Sequence, residues 1–110
     1  MGKKIPVRIQ KALTETKGKF DALYAQQRHE LVLFGSYARG TFSSGSDIDL
    51  LLLLDDIHDP AAERDRYFPI ICELSLKYDT VISVIPMARS TFQTKKTPLI
   101  LNAQREGVKV

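Results

Sequence analysis

The sequence predicts an α+β protein in which a small mixed β-sheet is covered by helices. Three observations support this fold class: helical periodicity in the first 28 residues, three short apolar segments rich in Leu, Val and Ile, and further helical patterns between and after them. The 110 residues, 44% of them hydrophobic and 26% charged, are expected to form one domain over residues 1–110 with a single core.

The first half of the chain is expected to contain two helices and two strands. Apolar residues recur at helical spacing between about residues 5 and 28, at Leu13, Phe20, Leu23 and Tyr24. Residues 31–34 form a short apolar strand, and a short helical turn begins at Ser36, followed by an irregular loop. Residues 48–54 are apolar apart from Asp49 and show no alternation, which is typical of a strand buried on both faces.

The second half continues with a helical pattern over residues 60–77, which Pro69 is expected to break. The β-branched residues 80–85 predict a third strand that stops at Pro86.

The C-terminal residues carry helix signals. Ser90 and Thr97 are expected to be N-caps, Pro98 fits a first helical position, and Gly107 is a C-terminal stop. The predicted order is therefore α, β, short α, β, α, β, α.

Composition narrows the class of protein. The longest apolar run, residues 50–54, is too short to span a membrane, so a cytoplasmic protein is expected. The single cysteine, Cys72, is expected to be a small buried residue. The net charge is +3, and the basic residues are concentrated in the first 28 residues. This segment is expected to be a solvated helix face rather than a binding surface for an acidic partner. It supports nucleic-acid binding only weakly.

Asp47 and Asp49 stand at the start of the leucine-rich strand. Residues i and i+2 of a strand point the same way, so the two carboxylates are expected on one face, where they would repel each other. They form a site suited to Mg²⁺, which takes one or two carboxylates and fills its remaining positions with water and phosphate oxygens. The alternative is a pair of exposed, solvated aspartates.

Gly35 and Ser36 lie where the preceding strand meets the short helix. A glycine followed by a helix N-terminus lets backbone N–H groups approach an anion, and Arg39, one helical turn later, faces the same side. Ser46, next to Asp47, belongs to the turn expected at residues 44–46.

Gly-Ser, ten intervening residues and Asp-x-Asp together resemble the signature of polymerase-β-type nucleotidyltransferases. The segment LFGSYARGTFSSGSDIDLLL is similar to the minimal nucleotidyltransferase (MNT) proteins of prokaryotes, and the similarity extends from about residue 31 to residue 110. This resemblance implies the polymerase-β-type nucleotidyltransferase fold.

The resemblance also implies the transfer of a nucleoside monophosphate to a macromolecular acceptor. The expected nucleoside monophosphate is AMP, taken from ATP. Gly35 and Ser36 would hold the triphosphate, and Arg39 would neutralise the leaving pyrophosphate. Ser46 would be a further nucleotide-binding residue. Asp47 and Asp49 would hold two Mg²⁺ ions about 3.5 to 4 Å apart.

Members of the family usually carry a third carboxylate on the next strand. Here Ser83 occupies a mid-strand position where an acid is expected, and the nearest acid is Asp79, just before the strand. Asp79 is either the third catalytic and metal-binding carboxylate or a turn residue.

The resemblance further implies a HEPN-domain protein as partner and an antitoxin-like role toward it. The alternative is a catalytically degenerate module that neutralises this partner by docking. Transfer to a small molecule would require a homo-oligomer to complete the pocket.

Overall fold

The computed structural model describes residues 4–110, which contain a four-stranded mixed sheet and five helices, and confirms the α+β class. Residues 1–3, part of the basic segment, lie outside the described residues. In chain order the elements are α1 Val7–Leu23, β1 His29–Phe34, α2 Ser36–Arg39, β2 Ile48–Leu54, α3 Pro60–Tyr78, β3 Ile82–Ala88, α4 Arg89–Thr94, α5 Pro98–Glu106 and β4 Val108–Lys109.

The leucine-rich strand β2 lies inside the sheet, whose strand order is β3-β2-β1-β4. It pairs antiparallel with β1 and parallel with β3. Leu50, Leu52 and Leu54 pack in the core with residues of α1 and α3, whereas Leu51 and Leu53 belong to a second cluster with residues of α4 and α5. The expected burial on both faces is confirmed, because helices cover both sides of the sheet.

The expected break at Pro69 is wrong, since α3 runs from Pro60 to Tyr78 with the proline inside it. Pro69 is exposed, while Tyr67 and Leu74 on either side of it are buried in the core. The packing of these two side chains outweighs the lost backbone hydrogen bond. The first helix is also shorter than expected and ends at Leu23.

The third strand does not stop at Pro86 but continues to Ala88. Within residues 4–110 it is an edge strand, where a residue without an N–H is tolerated. Ser90 is not an N-cap, because it lies inside α4. Thr97 is confirmed as a cap: its hydroxyl accepts a hydrogen bond from the Ile100 N–H at 3.3 Å.

Two further features were not expected from the sequence. The two-residue strand β4 follows Gly107 directly and pairs with β1. Cys72 is exposed on α3 rather than buried, so the prediction for this residue is wrong. In the described part of the chain, no helix has both the length and the apolar character needed to cross a membrane.

Candidate active site

Gly35 and Asp49 are brought together by the antiparallel pairing of β1 with β2. Phe34 stands opposite Asp49, so the next residue, Gly35, lies against the Asp49 side chain. A Cβ atom on Gly35 would overlap Asp49 Oδ2 and lie 3.2 Å from its Cγ. Gly35 also has φ 79° and ψ −156°, a conformation adopted almost only by glycine. The glycine is therefore what allows the carboxylate to approach the loop.

The two aspartates differ in environment. Asp47 is exposed, whereas Asp49 is partly buried at the second position of β2. Burial raises the pKa of Asp49, the nearby negative charge of Asp47 raises it further, and Arg39 acts in the opposite direction. The carboxylates are thus close enough to repel each other, and the guanidinium of Arg39 lies within electrostatic reach of Asp49. A cation between the carboxylates would relieve this repulsion.

Ser36 begins the short helix α2, and Arg39 ends it. The Arg39 N–H donates to the Gly35 carbonyl at 3.0 Å, which fixes the turn. The Arg39 side chain donates to Glu106 Oε1 at 3.0 Å. Sequence reasoning missed Glu106, because it stands 67 positions away at the end of α5 and only the fold brings it to Arg39.

Ser46 closes the turn that leads into Asp47. Its Oγ accepts a hydrogen bond from the Ser43 N–H at 2.8 Å, and its own N–H donates to the Ser43 carbonyl at 3.2 Å. The predicted site residues other than Asp79 therefore lie on the Gly35–Arg39 turn, at the end of the following loop (Ser46 and Asp47) and in β2 (Asp49).

Ser83 is the residue that the fold places beside Asp49, since the two are register partners in the parallel pair of β2 and β3. Asp79 lies four residues earlier, exposed, at the left-handed C-cap of α3 with φ 50°. Within residues 4–110, no group of three or more His, Cys, Asp or Glu side chains is arranged to hold a metal ion. The structure thus does not gather Asp47, Asp49 and Asp79 into a three-carboxylate group.

The residues present fit one Mg²⁺ ion that is held by two carboxylates instead of three. Two neighbouring carboxylates are a normal protein contribution to one Mg²⁺, with water and phosphate oxygens supplying the rest. Asp47 and Asp49 are the residues that would hold it.

The raised pKa of Asp49 predicts a pH dependence of stability. The native protein keeps this proton at pH values where the unfolded chain has released it, so stability falls as the pH rises above the ordinary value of 3.8. Asp49→Asn has no such proton to lose. In metal-free buffer, the melting temperature of this variant is expected to rise relative to that of the wild type as the pH increases above 3.8. A difference that is constant with pH would contradict this.

A family model and a relative in sequence show the class of protein. The family model described as "Nucleotidyltransferase domain" matches residues 13–109, a range that includes the aspartate pair, and defines the class of the domain. The chain is 33% identical over 98 residues to a protein of Methanocaldococcus jannaschii named as a candidate protein adenylyltransferase, covering 89% of this chain and 94% of that one. The chain therefore belongs to the nucleotidyltransferase-domain family and is a nucleotidyltransferase.

Solved structures agree on the fold. A toxin–antitoxin crystal structure with AMP-PNP matches with a TM-score of 0.59 and 22% identity, covering 86% of this chain and 69% of that chain. A chain from the structure of a tri-AMPylated HEPN toxin of Shewanella oneidensis in complex with an MNT antitoxin matches with a TM-score of 0.51 and 18% identity, covering 87% of this chain and 69% of that chain. The chain thus shares its fold with a chain of each of these toxin–antitoxin complexes.

Proposed function

We propose that the protein transfers AMP from ATP, in the presence of Mg²⁺, to a hydroxyl group of a HEPN-domain protein and thereby acts as its antitoxin. The observation that carries the proposal is the approach of the Asp49 carboxylate to Gly35, next to Asp47. This approach joins a candidate triphosphate site to a candidate metal site. The relative named for protein adenylylation and the neighbours that are MNT–HEPN complexes support the choice of acceptor.

The reaction would proceed as a substitution at the α-phosphorus of ATP. The acceptor oxygen forms a bond to this phosphorus, the bond to the oxygen bridging the α- and β-phosphates breaks, and pyrophosphate leaves. The hydroxyl proton passes to a carboxylate or to solvent. When bound, Mg²⁺ neutralises charge on the phosphate oxygens; the two-ion arrangement would need further ligands from the triphosphate and water.

The residues around the carboxylates have separate roles in this proposal. The Gly35–Ser36 turn would bind the triphosphate, and Ser46 would hold the loop before Asp47 and offer its hydroxyl proton to a phosphate oxygen. Arg39 would stabilise the leaving pyrophosphate, held for this role by Glu106.

The test is transfer of label from α-labelled ATP, with Mg²⁺, to the purified HEPN-domain protein encoded beside this chain. Cell extract serves where no such neighbour exists. Label on the protein is the expected result. Tight binding of the partner without any label would overturn the proposed transfer.

That second result would favour a docking module with little catalysis. Ser83 supports this candidate, because the position beside Asp49 carries no acid. Replacement of both Asp47 and Asp49 by Asn separates the two functions, since a module that acts by docking should still neutralise its partner.

Asp79 is proposed as an aid to the acceptor hydroxyl, because it lines the same cavity as Asp47. If so, Asp79→Asn is expected to lower the rate of transfer about tenfold or more while the affinity for ATP stays unchanged. Rates and nucleotide affinity measured on the same preparation decide the matter. Equal loss of both, or loss of neither, would reject the catalytic role.

A further inference from the structure

We infer that a cavity of about 400 Å³ beside Asp47 receives the acceptor as a protein segment with an apolar side chain near its reactive hydroxyl and with neutral or basic neighbours. This acceptor cavity lies between the loop of residues 44–47 and the C-terminal end of α3 with residues 79–81. The inference rests on the proposed function and specifies the chemistry of its acceptor.

The rim of the acceptor cavity is apolar on one side. Leu76 is 84% exposed and Val81 is 56% exposed. The Ile48 N–H donates to the Val81 carbonyl at 2.8 Å, so Val81 lies beside the segment that carries Asp47. When a partner covers two large exposed apolar side chains next to a charged reaction centre, the hydrophobic effect stabilises the complex. The occupant should therefore present an apolar group.

The charge of the acceptor cavity favours a protein segment over RNA as its occupant. Among the described residues that line it, the charged side chains are those of Asp47 and Asp79, both acidic. Mg²⁺ held by Asp47 and Asp49 would offset the charge of this pair where the triphosphate of ATP binds, but Asp79 would keep its negative charge. The phosphate backbone of RNA beside Asp79 would be repelled, whereas a neutral or basic protein segment would not be. The Arg8 guanidinium donates to the Asp79 carbonyl at 3.1 Å and holds this residue in place. A protein segment is therefore the favoured occupant.

Leu76→Ser tests the inference, and Phe68→Ser is its matched control. Phe68 is also on α3 and is 60% exposed, but it does not line the acceptor cavity. With the HEPN-domain protein as probe, Leu76→Ser is expected to raise the KM for the acceptor about tenfold. The affinity for AMP-PNP should not change, and Phe68→Ser should leave both quantities within about twofold of the wild type.

The outcomes separate this inference from the proposed function. An unchanged acceptor KM in Leu76→Ser, an equal change in Phe68→Ser, or label on RNA instead of protein would overturn it. If the wild type transfers no label, the proposed transfer fails, and the dissociation constant of the complex becomes the measurement. Weaker binding by Leu76→Ser alone would then support the cavity as the partner-binding surface, and unchanged binding would overturn it.

Discussion

Asp47→Asn is expected to lower the rate of AMP transfer roughly a thousandfold, which corresponds to about 4 kcal/mol of lost transition-state stabilisation. The exposed Asp47 and the partly buried Asp49 are the carboxylates that would hold Mg²⁺. An amide at position 47 keeps the size of the side chain but removes its negative charge. The fold should survive, because Asp47 is exposed and no hydrogen bond or ion pair of its side chain holds the described structure together.

The matched control for this variant is Asp56→Asn. Asp56 is another exposed aspartate, located after the opposite end of β2. Label transfer by the control should stay within about twofold of the wild type, and neither variant should unfold at a lower temperature than the wild type. If the rate of AMP transfer by Asp47→Asn were within tenfold of that of the wild type, the role proposed for Asp47 in the reaction would be wrong.

Gly35→Ala is expected to reduce both stability and activity. The residue has φ 79° and ψ −156°, and a Cβ would overlap the Asp49 carboxylate. We expect the free energy of unfolding to fall by about 2 kcal/mol and the melting temperature by roughly 10 °C. The displacement of Asp49 should lower AMP transfer roughly a hundredfold, because small shifts of reacting groups are costly in rate.

Gly18→Ala, a substitution at a second glycine, is expected to raise stability where Gly35→Ala lowers it. Gly18 is inside α1, and a Cβ there would meet nothing within 4 Å. Alanine is the better helix former, so this variant should gain about 0.5 to 1 kcal/mol and keep full transfer activity. Chemical denaturation and label transfer of the two variants decide the matter, and equal effects at both glycines would contradict the role given to Gly35.

Much of the fold could be predicted because the signals involved are local. The apolar segment of β2 has no alternation, so it fits a strand buried on both faces, and the Thr97–Pro98 pair places the start of α5. The spacing of Gly35, Ser36, Asp47 and Asp49 also depends on the chain alone. These features follow from the chemistry of neighbouring residues.

The remaining features depend on contacts between residues far apart in sequence. Pro69 stays inside α3 because Tyr67 and Leu74 are buried in the core, and Arg39 meets Glu106 only when α5 packs beside β1. The register of β3 decides that Ser83, and not Asp79, stands beside Asp49. The sequence by itself determined the fold class and the aspartate pair, whereas the tertiary structure decided which residues surround that pair, because strand register and helix packing are set by the whole core.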